Sequence, residues 1–568
     1  MKRFIKIYFL LIIFCFSCGT DNKNYHRIDD EFNSGSKINY IKLDSTKIND
    51  LKITGLVWGF LKYFHPNVIE GQYNWDYELF RILAKVIESE NFEQTNDILN
   101  CWIESLGHFK KLDNEQHVEN IKLNSDLNWI LNNNLSNKLI SQLLLIKNAK
   151  RLNKSFYIDF VNGANNPIFK NENPYSSFSF PDNGYRLLCL FRYWNIIQYY
   201  YPYRNLLERN WENVLSDYIL KFNNNKNELQ YKLTCLELIS EVNDTHANIW
   251  SEDNTLDIFF GNKTVPVEIN FIENRPIVIR EIENSLSKPC CLQVGDEILE
   301  IDNIDIRSII LEKIKYCPAS NYNTKLREVA KKIIQTNSDT IEILIENKNG
   351  IFNKKVPTVL IKKIDLWYKE VPSNKVLIEK IGYIYPGNLK KGEIDMIMKS
   401  FINKKGIIVD LRCYPSDFIV FSLGKYLMPR PTQFAKFSIA SITNPGVFTF
   451  TEPINVGEKN NNYFRGKVLI LVNEKTQSQA EYTAMALRVA PNALVIGSKT
   501  AAADGNVSRI FLPGNIKTVI SGIGVYYPDG SETQRIGIIP DIEVVPTIKG
   551  IRNRKDEVLE NAIEIILN

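Results

Sequence analysis

The chain has 568 residues, of which 44% are hydrophobic and 24% are charged, a composition typical of a soluble globular protein too long for one core. Its formal net charge of +4 is spread along the sequence without a dense basic stripe, which argues against nucleic-acid binding. Once Cys15 and Cys18 are set aside, the remaining cysteines include no C-x-x-C pair. We therefore expect no metal site, no cofactor and no disulfide framework.

The N-terminus departs from this soluble composition. Basic residues open the chain, residues 7–16 form an apolar run too short to span a bilayer comfortably, and small residues surround Cys18. This pattern resembles a bacterial lipoprotein signal over residues 1–18, with cleavage before Cys18 and a lipid on its thiol. A plain secretory signal is the alternative. Either interpretation places the mature protein outside the cytoplasm, and the first anchors it by lipid to the cell envelope. Residues 19–50 are polar and aperiodic, which predicts a tether.

An internal repeat follows within a predicted helical region, residues 51–255. Trp58 and Trp75 recur as Trp194 and Trp211, each 136 positions later. The repeat predicts two related helical copies, residues 51–110 and 187–250. Their aromatic residues recur at helical spacing, so we assign them to the core rather than to a ligand site. The connecting residues 109–180 show no periodicity and are predicted to be irregular.

Short strands are predicted over residues 262–347. The turn at Gly295-Asp296 enters an alternating apolar strand, and residues 325–334 fit a later helix, followed by a closing strand at residues 340–346. This order resembles a PDZ domain. The resemblance implies binding of an extended peptide, with C-terminal tails as natural ligands. An unrelated small β-domain is the alternative.

Residues 355–568 read as an α/β domain in which strands alternate with helices. Its clearest unit is residues 467–500: a buried strand at 468–472, a polar turn, a helix at 480–489 and a second buried strand at 493–496. Ser478 lies at the strand-to-helix junction, where helix N–H groups point outward. Two interpretations are open: Ser478 is a nucleophile, or it caps the helix together with Glu481.

The chain has five histidines, and any imidazole base must come from them. His246 follows the second helical copy in the run Asp244-Thr245-His246. A single histidine at the edge of a core is equally compatible with a structural role.

Four segments together resemble the tail-specific, or C-terminal-processing, serine proteases: residues 406–412, 476–481, 497–500 and 537–544. The resemblance implies a crotonase-like layered α/β spiral and makes Ser478 the nucleophile. In one branch of that family a lysine activates the serine, but the matching position holds Ala503. The resemblance therefore favours the tricorn-core-like branch, in which His246 is the base and Thr245 supplies a neighbouring hydroxyl.

The resemblance also implies an orienting carboxylate and an oxyanion hole. We predict Glu532 as the carboxylate, although Gln534 matches the spacing as well and Glu532 reads equally as a solvated turn residue. The amide of Gln479 is one oxyanion donor. The family's second donor comes from a glycine pair that is missing here; because Pro415 has no N–H, we predict the amide of Ser416.

The predicted function is that of a membrane-anchored, extracytoplasmic serine endopeptidase. It would cleave peptides or protein tails through an acyl-enzyme on Ser478, with the PDZ-like region presenting the substrate. The first alternative is a non-catalytic member of the same fold that binds peptides. The second keeps the protease but uses Lys499 as the base.

Overall fold

The structure, a computed structural model, describes residues 29–112, 118–282, 291–365, 368 and 370–568. Helices, a β-rich region and an α/β region follow one another along the chain, which confirms the predicted mixed, multidomain architecture. The predicted signal peptide and Cys18 lie outside the described residues. Within the described ranges, no helix combines the length and the apolar character needed to cross a bilayer.

The N-terminal region is mainly helical. Asp44 caps its first long helix and Asp182 caps the second, each accepting a hydrogen bond from an amide in the first turn. Every residue of that second helix is buried, so it forms the centre of the region. The elements are α1 (Ser45–Phe64), α2 (Pro66–Ile69), α3 (Trp75–Glu88), α4 (Phe92–Ser105), β1 (Ile121–Leu123), α5 (Trp129–Asn132), α6 (Asn137–Lys147), β2 (Ile158–Phe160), β3 (Pro167–Phe169), α7 (Asn183–Tyr200), α8 (Trp211–Asn223), α9 (Glu228–Glu241) and α10 (Thr255–Phe260).

The repeated tryptophans make the same contacts in both halves of this region. The indole N–H of Trp58 donates to the carbonyl of Trp75, and Trp75 donates back to Trp58, at 2.9 and 3.1 Å. Trp194 and Trp211 exchange the same two hydrogen bonds at 2.7 and 3.1 Å. This shared local geometry supports the proposed duplication.

Two expectations for this region need correction. The predicted tether over residues 19–50 does not hold for its second half, because Phe32, Ile38 and Ile41 are buried in the helical core and α1 begins at Ser45. The connecting residues 109–180 are not wholly irregular, since they form two helices and three short strands. Their apolar side chains pack against α1 and α4 without producing a periodic sequence pattern.

The β-rich region contains a sheet in the order β11-β10-β7-β6-β5, with antiparallel neighbours throughout. The predicted helix and closing strand are present as α12 and β10. The elements are β4 (Lys263–Thr264), β5 (Val267–Ile272), β6 (Arg275–Glu281), β7 (Glu297–Ile301), β8 (Ile304–Asp305), α11 (Ile306–Lys313), α12 (Tyr322–Ile333), β9 (Gln335–Thr336), β10 (Thr340–Asn347), β11 (Gly350–Pro357) and β12 (Val359–Leu360).

The α/β region is built on a sheet in the order β13-β14-β15-β19-β20-β24, parallel from β14 onward. The elements are β13 (Asn374–Leu377), β14 (Ile381–Ile384), α13 (Ile394–Phe401), β15 (Gly406–Asp410), α14 (Val420–Leu427), β16 (Thr432–Ala440), β17 (Phe448–Phe450), β18 (Ile454–Val456), β19 (Lys467–Val472), α15 (Gln479–Leu487), β20 (Ala493–Gly497), β21 (Val507–Leu512), β22 (Ile516–Ser521), β23 (Gly524–Tyr526), β24 (Ile542–Glu543), α16 (Ile548–Arg552) and α17 (Glu557–Leu567).

Helices cover both faces of this parallel sheet. Residues of α17 pack on one face, and residues of α13, α14 and α15 pack on the other. The central strands β15 and β19 are accordingly apolar almost throughout, as strands buried on both faces must be. The carboxyl ends of β14, β15, β19 and β20 are adjacent, so the loops that follow them meet at one edge of the sheet.

The hairpin β21–β22 joins the α/β region to the helices. Its apolar residues Ile510, Leu512, Ile516 and Ile520 belong to the same buried core as α7 and α8. This hairpin ends at Ser521, which lies beside the segment that follows α9.

Candidate active site

Ser478 ends the turn between β19 and α15. Its backbone has a φ of 55°, a left-handed conformation that costs a non-glycine residue energy and that occurs preferentially at functional turns. The turn is held from both sides: Thr476 Oγ1 donates to the carbonyl of Leu411 (2.7 Å), and the Ser478 amide donates to the carbonyl of Ala503 (2.9 Å). The strained position of Ser478 is therefore fixed by loops from two neighbouring strands.

Glu481 makes the predicted capping contact and does more. Its Oε2 accepts the Ser478 amide at 3.2 Å, and its carboxylate also accepts the Thr500 hydroxyl and the amides of Ala502 (2.8 Å) and Ala503 (3.0 Å). Burial raises the pKa of Glu481, while these hydrogen bonds favour its charged form. The capping contact thus clamps residues 500–503 to the start of α15, which is compatible with a nucleophilic role for Ser478.

His246 is held through one ring nitrogen and is free at the other. Its Nδ1 lies 3.0 Å from Ser521 Oγ and 3.4 Å from a carboxylate oxygen of Asp244. A carboxylate only accepts hydrogen bonds, so the neutral tautomer assigned from this network carries its proton on Nδ1. Nε2 then holds the lone pair, and it is buried without a hydrogen-bond partner. An imidazole in this state can accept a proton at Nε2.

Asp244 is fully buried and well anchored. One carboxylate oxygen accepts the His246 amide (3.0 Å), and the other accepts the Ser521 amide (2.6 Å). Although burial opposes ionisation, the hydrogen bond and charge of His246 together with these amides hold the pKa of Asp244 below its usual range. Asp244 therefore acts as a charged partner for the imidazole.

The other described histidines lie elsewhere. His65 is buried in the helical core against Phe109, and burial lowers its pKa to about 4. His108 is exposed. His26 and His117 fall outside the described residues. Of the histidines that the structure describes, His246 alone lies beside the loops of the sheet edge.

Thr245 does not hold the imidazole ring. Its hydroxyl exchanges hydrogen bonds with Ser320, which precedes α12, and donates to the carbonyl of Ala501 at 3.1 Å. Ser320 also accepts a hydrogen bond from the side-chain amide of Gln534 at 3.2 Å. Thr245, which we expected beside the imidazole, thus connects the β-rich region to residues 500–503. The imidazole ring of His246 is oriented by Asp244 and Ser521 instead.

The predicted orienting carboxylate lies in a different place. Glu532 pairs with Lys122 at 2.6 Å, near the rings of Phe450 and Tyr526, and makes no hydrogen bond to His246. Gln534, two residues later, is fully buried in the Thr245–Ser320 network. The choice of Glu532 is therefore corrected: of the two residues that the spacing allowed, Gln534 is the one beside the site.

One of the two predicted oxyanion donors is also unsuitable. The amide of Ser416 already donates to the carbonyl of Pro386 at 3.0 Å. The amide of Gln479 occupies the first position of α15, where helix N–H groups have no intrahelical acceptor. The phenol of Tyr414 lines the same cavity as Ser478. Burial raises its pKa, and the neighbouring Ser478 side chain lowers it. Tyr414 is thus a second polar group near Ser478.

Ser478 and His246 line two neighbouring cavities. Ser478 lines a cavity of about 430 Å³ together with Gln479, and His246 lines one of about 440 Å³ together with Gln477. No hydrogen bond joins Ser478 Oγ to His246 among the described residues. Gln477 and Gln479, on either side of Ser478, line different cavities, and hydrogen bonds between catalytic groups often form only when substrate is bound.

Some site residues were missed from the sequence. Asp244 stands two positions before His246 and could have been found as the nearest carboxylate. Tyr414 follows the strand ending Asp410-Leu-Arg and could have been found from the loop rule for parallel strands. Ser320 offered no signal, because its contact with Thr245 depends on how the β-rich region docks.

Comparisons with known proteins match the part of the chain that contains Ser478. Residues 436–544, which include Ser478, match the family described as "Peptidase family S41". A carboxyl-terminal-processing protease from Picosynechococcus sp. is 24% identical over 277 residues, covering 47% of this chain. The match spans 60% of the length of that relative.

Two solved structures share the fold. Mature CPAF complexed with lactacystin aligns with a TM-score of 0.52 at 14% identity, covering 68% of this chain and 98% of that chain. Mature CPAF aligns with a TM-score of 0.51 at 15% identity, covering 68% and 96%. The tail-specific protease resemblance noted in the sequence agrees with the family match, and residues 436–544 are a domain of peptidase family S41, a family of serine-type peptidases.

Proposed function

We propose that this protein is a serine endopeptidase in which Ser478 is the nucleophile and His246 is the general base. Ser478 Oγ attacks the carbonyl carbon of the scissile bond while its proton passes to His246 Nε2. The carbon–nitrogen bond then breaks, and Nε2 returns the proton to the leaving amine. Water, deprotonated by the same nitrogen, hydrolyses the acyl-enzyme and frees Ser478.

The observation that carries the proposal is the state of His246. Nδ1 is fixed by Asp244 and Ser521, while Nε2 is buried, unprotonated in the assigned tautomer and without a partner. A buried polar atom that lacks a hydrogen bond costs stability and is seldom tolerated without a role. A proton from the nucleophile would satisfy it.

The developing oxyanion needs donors that are not already engaged. The amide of Gln479 and the phenol of Tyr414 meet this requirement, and they replace the amide pair expected from Gln479 and Ser416. Tyr414 lies in the loop that follows β15 and lines the same cavity as Ser478.

The substrate would be a peptide or an unfolded protein tail. The PDZ-like sequence pattern of the β-rich region supports recognition of C-terminal tails. The N-terminal signal pattern supports a location outside the cytoplasm, with the lipid on Cys18 anchoring the protein to the cell envelope.

Covalent labelling tests the proposal. We would treat the purified protein without its first 18 residues with a fluorophosphonate probe and locate the adduct by intact and peptide mass. We expect labelling of Ser478, its loss in Ser478→Ala, and a slowing of at least about 100-fold in His246→Ala. The exposed residues Ser531 and His108 supply matched controls: Ser531→Ala and His108→Ala should label like the wild type.

A non-catalytic binding protein is the second candidate, favoured by the engaged amide of Ser416. Absence of labelling in the folded wild type would select it and refute the peptidase. Labelling that survives in His246→Ala at the wild-type rate would keep the nucleophile and remove the base. Lys499, the alternative base, is exposed, so Lys499→Ala should leave labelling unchanged.

A further inference from the structure

The cavity beside Ser478 has aromatic walls. Tyr482, four residues after the nucleophile, lies between Phe418 and Phe437, with ring centroids 6.2 Å from each and interplanar angles of 26° and 23°. Tyr414, Ile523 and Val525 also contribute to the lining of this cavity. A volume of about 430 Å³ is within the range of ligand pockets and accommodates a long side chain.

A carboxyl group lies in this apolar lining. Asp504 is 3% exposed, and one of its oxygens accepts only the amide of the next residue, Gly505, at 2.7 Å. Its other oxygen, Oδ2, is buried and has no hydrogen-bond partner. Because an unpaired buried polar atom is costly, Asp504 Oδ2 is suited to a partner that the described residues do not supply.

The electrostatics of the cavity favour a cation. Among the described residues that line it there is no lysine, arginine or histidine. Burial raises the pKa of Asp504 well above its usual value, and the charge of Glu481 raises it further. A cation would offset both effects: it would pair with Asp504, which releases its proton to solvent, and it would reduce the repulsion from Glu481.

Building on the proposed function, we infer that this cavity is the specificity pocket for the residue on the acyl side of the scissile bond, and that it takes a lysine or arginine side chain with its head on Asp504. The aliphatic stem would lie along Tyr482, and the rings of Tyr414 and Tyr482 would add cation–π attraction. An uncharged apolar side chain would fill the walls equally well but would leave Asp504 Oδ2 unpaired. The pocket therefore discriminates against a peptide with an apolar side chain, because only a basic side chain pairs with Asp504 Oδ2.

Matched peptides test this pocket. One series would differ only at the residue before the scissile bond, carrying lysine, arginine, norleucine or glutamine, and kcat/KM would be measured for the wild type and for Asp504→Asn. The substitution keeps the size of the side chain and removes its charge. The exposed Asp529 provides the control variant Asp529→Asn.

We expect the wild type to prefer lysine over norleucine by about 10- to 100-fold, and Asp504→Asn to lose most of that preference because its kcat/KM falls more on the lysine peptide than on the norleucine peptide. A wild type that prefers norleucine, or a variant that slows both peptides equally, would overturn the inference. If Asp504→Asn does not fold, the wild type alone decides: the cleavage sites in a reduced, alkylated carrier protein should follow lysine and arginine.

The two proposals fail in different ways. Cleavage after apolar residues with normal labelling of Ser478 would refute the pocket and leave the peptidase intact. Absence of both labelling and cleavage would refute the peptidase and, with it, the specificity pocket.

Discussion

The clearest prediction concerns Asp244. In Asp244→Asn the side chain keeps its size but loses its charge, and it presents an N–H group either to the Ser521 amide or to His246. During acyl transfer the imidazole becomes cationic, with Nδ1 lying 3.4 Å from the Asp244 carboxylate. Two unit charges at that distance interact by about 5 kcal/mol at an effective dielectric constant near 20, which corresponds to a rate factor of about 5,000.

Because the imidazole carries only part of this charge in the transition state, we expect a loss of about 100- to 1,000-fold. The second-order rate of fluorophosphonate labelling at Ser478 measures it without knowledge of the natural substrate. Thermal unfolding would check the fold, since the misplaced amide should cost about 1–3 kcal/mol of stability. The exposed Asp217 gives the control variant Asp217→Asn. A loss of less than tenfold in folded Asp244→Asn would refute the assignment of Asp244 as the partner of His246.

Three further predictions concern the phenol of Tyr414, the hydroxyl of Ser320 and the buried imidazole of His65. Tyr414→Phe should lower kcat by about 10- to 100-fold with little change in KM, because a donor to the oxyanion is lost; an unchanged kcat would contradict this role. Ser320→Ala should slow labelling of Ser478 by about tenfold, because Thr245 and Gln534 lose their shared partner; Ser531→Ala is its control, and an unchanged labelling rate would show that the link does not position the base. His65 has a pKa of about 4 in the folded protein against 6.5 when unperturbed, so its contribution to stability is present above pH 6.5 and is lost as pH falls toward 4. Between pH 7 and pH 5 the free energy of unfolding should therefore fall by about 2 kcal/mol more in the wild type than in His65→Gln, as measured by urea unfolding; equal pH dependence would contradict a buried neutral histidine.

Sequence reasoning succeeded where a feature depends on neighbouring residues. The unit β19–α15–β20 was predicted because its strands are continuous apolar runs and its helix has good helix formers after a capping residue. The observed helix, Gln479–Leu487, differs from the predicted 480–489 by only one or two residues at each end. The position of Ser478 at the junction follows from that local pattern.

Features that depend on contacts between loops far apart in sequence were predicted less well. Glu532 was preferred over Gln534 because it carries a charge, yet Lys122, 410 positions earlier in the chain, pairs with it. Ser416 was chosen because Pro415 lacks an N–H, but the carbonyl of Pro386 had already taken its amide. In both cases the competing partner lies on another element, and a single sequence contains no signal of that contact.

The packing of residues 500–503 favours the proposed histidine base over a lysine base. In the lysine-dependent branch of the family that this sequence resembles, the lysine base occupies the position of Ala503, in the loop that follows β20. Here Ala501, Ala502 and Ala503 are at most 1% exposed, and both backbone groups of Ala503 are engaged, the amide with Glu481 and the carbonyl with Ser478. A lysine at position 503 would not fit into this fully packed site without displacing its neighbours. Its ammonium group would also have to be buried, which costs free energy.

The same loop also contacts Thr245, the residue that precedes His246. The carbonyl of Ala501 accepts the hydroxyl of Thr245, the residue before His246. In the proposed mechanism, the loop that provides the base in the lysine-dependent branch connects the segment of Ser478, which follows β19, to the segment of His246, which follows α9. His246, the proposed base, follows the helical region and lies beside Ser521, because the hairpin β21–β22, which continues from this loop, is packed into the helical core and ends at Ser521. The position of the imidazole therefore depends on the packing of the helical region against the S41 domain.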